Sequence, residues 1–198
     1  LIVDAQVHIW GSGTPNPPHR QTSAFSKDEL LAEMDAAGVD AAVIHPPGWD
    51  PNSGALAVEA ARQHPKRLAI LGRIPLDRPA NPGLVEKWKR QPGMLGLRYT
   101  FLQPHQRTWP TDGTMDWLWP AAERAGVPIA LLAGNFLPLV GQVAERHPGL
   151  KLIIDHLGRP LGAKDEAAWS NLPELLALAV HPNVAVKATG APSYSSEA

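Results

Sequence analysis

At the start of the chain, Asp4, Gln6 and His8 alternate with apolar residues in Asp-Ala-Gln-Val-His. Side chains two apart on an extended strand share a face, so this spacing predicts a carboxylate, an amide and an imidazole presented together. Farther on, single polar residues close short apolar runs: His45, Arg73, Arg98, Asn135, His156 with Arg159, and Lys187. Each alone has an ordinary reading, as a hydrogen-bonded strand-end histidine or as half of an ion pair. Their recurrence at the ends of successive runs is the informative feature.

The elements that would carry these groups alternate. Strands are expected at Leu1 to Gln6, Ala41 to His45, Leu68 to Arg73, Leu95 to Thr100, Pro128 to Leu132, Lys151 to Asp155 and Val184 to Ala188. Continuous apolar runs such as Leu152-Ile153-Ile154 suit a parallel sheet buried on both faces. Between them, Ser26 with Glu29 reads as a capping box, Leu30, Leu31 and Met34 as an apolar stripe, and Gly38 as the stop. Asn81-Pro82 reads as a cap followed by a first-turn proline. Asp112 or Thr114 is expected to cap a helix from Met115 to Ala125, closed by Gly126. His64, His147 and His181, each followed by proline, read as structural groups at helix ends.

This βα order predicts an α/β fold, a (β/α)8 TIM barrel with about seven of its eight strands present, as one domain over residues 1–198. A dinucleotide-binding sheet is disfavoured, because Gly11-Ser12-Gly13 runs into Thr-Pro-Asn-Pro-Pro and cannot open a helix. The missing eighth strand is expected beyond Ala198, with an aspartate at its end. In a barrel, the polar strand ends above would form one rim at the C-terminal face.

Composition narrows the partners. With Lys+Arg 18 against Asp+Glu 19 and no basic run, the footprint of a nucleic-acid binder is missing, and a small molecule is the expected partner. No membrane span is expected, and self-association is left open. The sequence contains no cysteine, which excludes thiolate chemistry and Cys-based zinc sites and fits a cytoplasmic protein.

Two segments resemble a known family. Asp4-Ala5-Gln6-Val7-His8-Ile9-Trp10 is similar to the first-strand motif of the amidohydrolase superfamily, usually Asp-x-His-x-His. Asp155-His156-Leu157-Gly158-Arg159-Pro160 resembles the sixth-strand motif of its lactonase branch, which includes 2-pyrone-4,6-dicarboxylate lactonases and fuconolactonases. Gly96-Leu97-Arg98 and Lys187-Ala188-Thr189-Gly190 extend the resemblance over the whole chain.

The resemblance implies a hydrolase that opens a small carboxylated lactone by water attack on the ester carbonyl. His8, His156 and Arg98 would be catalytic, and Gln6, Arg159, Arg73, Asn135 and Lys187 would bind substrate. Metal-dependent members use two first-strand histidines, a fifth-strand histidine and an eighth-strand aspartate. Here Gln6 replaces the first, and Leu132-Ala133-Gly134-Asn135 lacks the third, so no metal or other cofactor is expected and zinc is disfavoured. A second arginine of the dicarboxylate lactonases falls at Pro104, with Arg107 out of register. Trp10, Trp49 and Trp109 are candidates for an aromatic wall beside a ring substrate. The alternatives are a metal-dependent amidohydrolase or decarboxylase of the same superfamily, and a non-catalytic binding barrel.

Overall fold

The computed structural model describes residues 1–15, 19, 21, 23–77 and 81–197. Seven strands run β1 Val3–Val7, β2 Ala41–Ile44, β3 Leu68–Gly72, β4 Met94–Tyr99, β5 Ile129–Leu131, β6 Leu152–Ile154 and β7 Val184–Val186. Their order in the sheet follows chain order. β1 with β2, β2 with β3, β4 with β5, β5 with β6 and β6 with β7 pair in parallel, and a helix lies between each strand and the next: α1 Lys27–Ala37, α2 Ser53–Gln63, α3 Gly83–Lys89, α4 Leu118–Ala125, α5 Leu137–Arg146 and α6 Leu172–Ala177. Parallel pairs require such crossovers, and this is the βα succession of a TIM barrel. Among the described residues no helix is long and apolar enough to cross a membrane.

The chain divides into two compact units, residues 1–72 with 88–96, and residues 73–87 with 97–198. In the first, Leu30 and Met34 of α1, Ala57, Ala60 and Ala61 of α2, and Ile44, Leu68 and Ile70 of the strands form one core. Burying each of the larger side chains contributes roughly 1.5–3 kcal/mol. In the second, Leu97, Leu118, Ile129, Leu131, Val140, Leu152 and Ile154 are buried. Several strands are thus apolar on both sides, which explains their continuous rather than alternating pattern.

The caps follow local chemistry. Ser26 and Glu29 form the reciprocal capping box, and Gly38 stops α1 in the left-handed region at φ 69°. Gly126 does the same for α4 at φ 62°. His64 and His147 end α2 and α5, and the His147 ring meets the Glu123 carboxylate at 2.9 Å. His181 closes a 3-10 turn before β7.

Two expectations change. α4 begins at Leu118 rather than Met115, because Asp112 accepts from Thr114 N and Thr108 Oγ1 and so closes a turn instead of capping a helix. The pairing of β1 with β2 shifts between Asp4 and Val7, and the Asp4 carboxylate accepts the Gln6 backbone N–H. The stretch from Asp4 to Val7 thus holds one residue more than its partner stretch Ala42 to Ile44. Gly11 to Gly13 form a bent loop and open no helix, while Asn16, Pro17 and Pro18 of the proline-rich segment lie outside the described residues.

Candidate active site

In the second unit the ends of three strands meet at one carboxylate. Asp155 directly follows β6, its N–H still bonded to Leu131 O, and it has no solvent exposure. Arg98, next to last on β4, donates from Nε to Asp155 Oδ2 at 2.6 Å. Lys187, the residue after β7, brings Nζ to within 2.7 Å of Oδ1. Parallel strands place all three at C-terminal ends, the end at which barrel enzymes do chemistry.

Burial alone would push the Asp155 carboxyl up. The charges of Arg98 and then Lys187 outweigh it and hold the group below its ordinary range, so it is ionised at neutral pH. Burial also lowers Lys187, with Asp155 only partly restoring it. Two cations share one buried anion, which leaves an excess of positive charge. Among the described residues Arg98 makes one side-chain hydrogen bond, through Nε.

His156 sits beside this cluster in an unusual backbone. His156, Leu157 and Gly158 have φ of 53°, 56° and 62°, one left-handed turn. Such a conformation costs about 1–2 kcal/mol for each non-glycine residue. The turn is fixed by Leu157 N–H to Lys187 O and Gly158 N–H to Asp155 O, both 2.9 Å. Asn171 ties it down further, donating to Gly158 O at 2.7 Å and to Gly134 O at 2.8 Å. Glycine is required at 134, where a Cβ would stand 2.2 Å from Arg159 O.

The His156 ring lies with Nδ1 3.2 Å from Thr189 O and 2.9 Å from Thr189 Oγ1. Bonded to the carbonyl, which only accepts, Nδ1 carries the hydrogen and Nε2 the lone pair; bonded to the hydroxyl, Nδ1 can instead accept. Tyr194 donates its hydroxyl to the same carbonyl. Burial lowers the His156 pKa, and the Thr189 bond and Asp155 only partly offset it, so the ring is neutral at pH 7.

The other expected binding residues of this unit are placed differently. Arg159 lies over the Tyr194 ring, 3.9 Å from its centroid, and donates to Ala163 O at 3.1 Å. Arg73 is exposed at the end of β3; partial desolvation and then the charge of Arg98 lower its pKa. Asn135 is exposed in the turn before α5, and Arg107 is exposed after the 3-10 turn Pro104–Gln106. Tyr99, beside Arg98, is buried and bonds its hydroxyl to Ile74 N and O.

In the first unit, His8 donates from Nδ1 to His45 O at 2.6 Å, and the fully buried His45 meets Ala5 O through Nε2 at 3.1 Å. Gln6 is half-buried on β1. Trp10 and Trp49 come together, ring centroids 5.7 Å apart, with His19 against both and His8 against Trp49. The buried Asp50 accepts from Gly11 N, Ser12 N and Asn52 N and anchors the loop after β1.

Asp155, Thr189, Tyr194 and Asn171 escaped the residue-type reading. The first was legible: a carboxylate straight after Leu-Ile-Ile must be buried and therefore paired. The others act through backbone groups, which sequence does not display.

A metal fits these residues poorly. Among the described residues no group of three or more His, Asp or Glu gathers as a ligand set. Asp155 is committed to Arg98 and Lys187, and Gln6 offers an amide where zinc prefers imidazole or carboxylate.

The chain is similar to known proteins. The chain is 23% identical over 196 residues to an L-fucono-1,5-lactonase of Burkholderia ambifaria, covering 95% of this chain and 67% of that protein. It superposes on an amidohydrolase of Burkholderia multivorans solved with bound zinc, with TM-score 0.81, 21% identity, and coverage of 99% of this chain and 72% of that one. It also resembles an Acinetobacter baumannii protein described as a probable 2-pyrone-4,6-dicarboxylic acid hydrolase, solved with citric acid (TM-score 0.71, 16% identity, 98% of this chain and 72% of that one). The zinc in the first of these structures counts against the expectation that no cofactor is used in this group of proteins. The amidohydrolase family model matches residues 3–198, and the chain belongs to the amidohydrolase family.

Proposed function

We propose that this chain is a lactonase, hydrolysing a small carboxylated cyclic ester at the C-terminal ends of β4, β6 and β7. The observation that carries this reading is the buried Arg98–Asp155–Lys187 cluster with its excess positive charge. An anion completes it, either a substrate carboxylate or the oxyanion that forms when water adds to an ester carbonyl. The fuconolactonase of Burkholderia ambifaria and the pyrone hydrolase likeness support a lactone as the substrate class.

In the step we envisage, the water oxygen bonds to the lactone carbonyl carbon while His156 Nε2 takes the proton. Negative charge gathers on the carbonyl oxygen, facing the Arg98 guanidinium. Collapse of the adduct breaks the ring C–O bond, and His156 returns its proton to the leaving alkoxide, giving a hydroxy acid. His156→Ala and Arg98→Met should each lower kcat/KM for carboxylated lactones by about a hundredfold, the scale of losing one such group. Wild-type rates in both variants, with thermal unfolding showing them folded, would overturn the assignment.

A further inference from the structure

An imidazole takes up a proton only through the ring nitrogen that holds a lone pair, and at His156 the two groups of Thr189 that meet Nδ1 pull in different directions. The Thr189 carbonyl lies 3.2 Å from Nδ1 and the Thr189 hydroxyl 2.9 Å from it. The carbonyl can only accept, whereas the hydroxyl can accept or donate. A hydroxyl hydrogen pointed at Nδ1 would put the ring hydrogen on Nε2 and leave no lone pair there.

The carbonyl breaks the tie while it stays aimed at the ring. A lone pair on Nδ1 would face the electron-rich carbonyl oxygen at 3.2 Å, and a hydrogen on Nδ1 turns that repulsion into a bond. The residue after Thr189 is Gly190, at φ 75°, which gives the intervening peptide wide freedom to turn. The Tyr194 hydroxyl restrains it by donating to Thr189 O. A carbonyl oxygen has two lone pairs, so it serves Tyr194 and His156 together.

Tyr194 is itself held. It is buried, with Arg159 over its ring at 3.9 Å from the centroid and the Trp169 ring edge-on to it, centroids 5.8 Å apart. The residues that follow are tied to the loop after β6: Lys164 Nζ donates to Ser195 O at 3.2 Å, and the Ser196 N–H donates to Asp165 Oδ1 at 2.8 Å.

We propose that Tyr194 is a positioning residue, pinning the Thr189 carbonyl on His156 so that the ring carries its hydrogen on Nδ1 and presents the lone pair of Nε2. Its bearing on the rate rests on the lactonase reading; the tautomer does not.

The test is long-range proton–nitrogen correlation NMR of the full chain at neutral pH without substrate, which identifies the protonated ring nitrogen, alongside kinetics with a carboxylated lactone. Wild-type His156 should carry its hydrogen on Nδ1. Tyr194→Phe keeps the ring and should make the Nε2–H form the major one, lowering kcat about tenfold with KM little changed. Adding Thr189→Val removes the competing donor and should move the ring back towards Nδ1–H, a rescue that a role in packing alone would not show. Hydrogen on Nε2 in the wild type, an unchanged tautomer in Tyr194→Phe, or a double variant that stays at Nε2–H would overturn the proposal. A tautomer that changes in Tyr194→Phe when the wild type opens no lactone would support the Tyr194 assignment and reject the lactonase reading alone.

Discussion

Arg98 and Asp155 are 57 residues apart in sequence, yet Arg98 Nε lies 2.6 Å from Oδ2 of a carboxylate that has no exposure to solvent. The bond spans β5, from the end of β4 to the end of β6, and Lys187 extends it to β7. Removing the central carboxylate would leave two buried cations without a counter-charge. Asp155→Ala should therefore destabilise the protein by about 3–5 kcal/mol, read by urea or thermal unfolding. A loss below about 1 kcal/mol would mean that the cations find water or another partner when Asp155 is gone.

The same pair sets an acid dependence of stability. The Asp155 pKa is depressed in the folded state, so its contribution is present above the ordinary carboxylate range and is lost as pH falls through the folded value. Wild-type stability should drop on acidification below about pH 4, and Asp155→Asn should flatten that part of the profile. A profile of the same slope in the variant would assign the acid sensitivity to other carboxylates.

Activity should follow His156 instead. Burial lowers its pKa, and the neutral ring is the form that takes a proton from water. The acid limb of kcat/KM should accordingly lie below the ordinary histidine value of about 6.5, leaving the rate flat from there towards neutrality. A limb at or above that value would show that another group controls the step.

The turn after β6 offers a structural check. Gly134→Ala places a methyl carbon against Arg159 O, and neither backbone can yield while Asn171 holds both turns. The variant should lose more than about 2 kcal/mol of stability and shift the His156 ring resonances in NMR. Unchanged resonances would mean that the two turns move independently.

Metal content separates this chain's own chemistry from that of its zinc-bearing relative. Chelator-treated protein should keep its hydrolase activity, and elemental analysis should find less than about one equivalent of zinc or manganese. Activity that vanishes on chelation and returns with zinc would overturn the route drawn through Arg98 and His156.

What was legible in the sequence was whatever rests on period and local caps. All seven strands lie where apolar runs stood, and Ser26 with Glu29 formed the expected box. Helix α4 was drawn three residues too early because Asp112 suits a turn as well as a cap, and only its neighbours Thr108 and Thr114 decide between them. The left-handed turn at His156 and Leu157 was invisible, since neither residue favours that conformation and the bonds enforcing it come from Lys187, Asp155 and Asn171. For the same reason Lys187 could be read as a binding group or half of an ion pair, and the structure gives it the Asp155 partner.

The Asp155 cluster also bears on how such a protein diversifies. Because Arg98 and Lys187 both pair with one buried carboxylate, exchanging either for a new specificity also removes a partner of Asp155, so variation there is coupled to stability. The loops after β3 and β4, which carry the exposed Asp77 and the half-buried Trp109, accept substitution more readily. Selection for new ligands would be expected to write its changes in those loops and to leave the strand ends untouched.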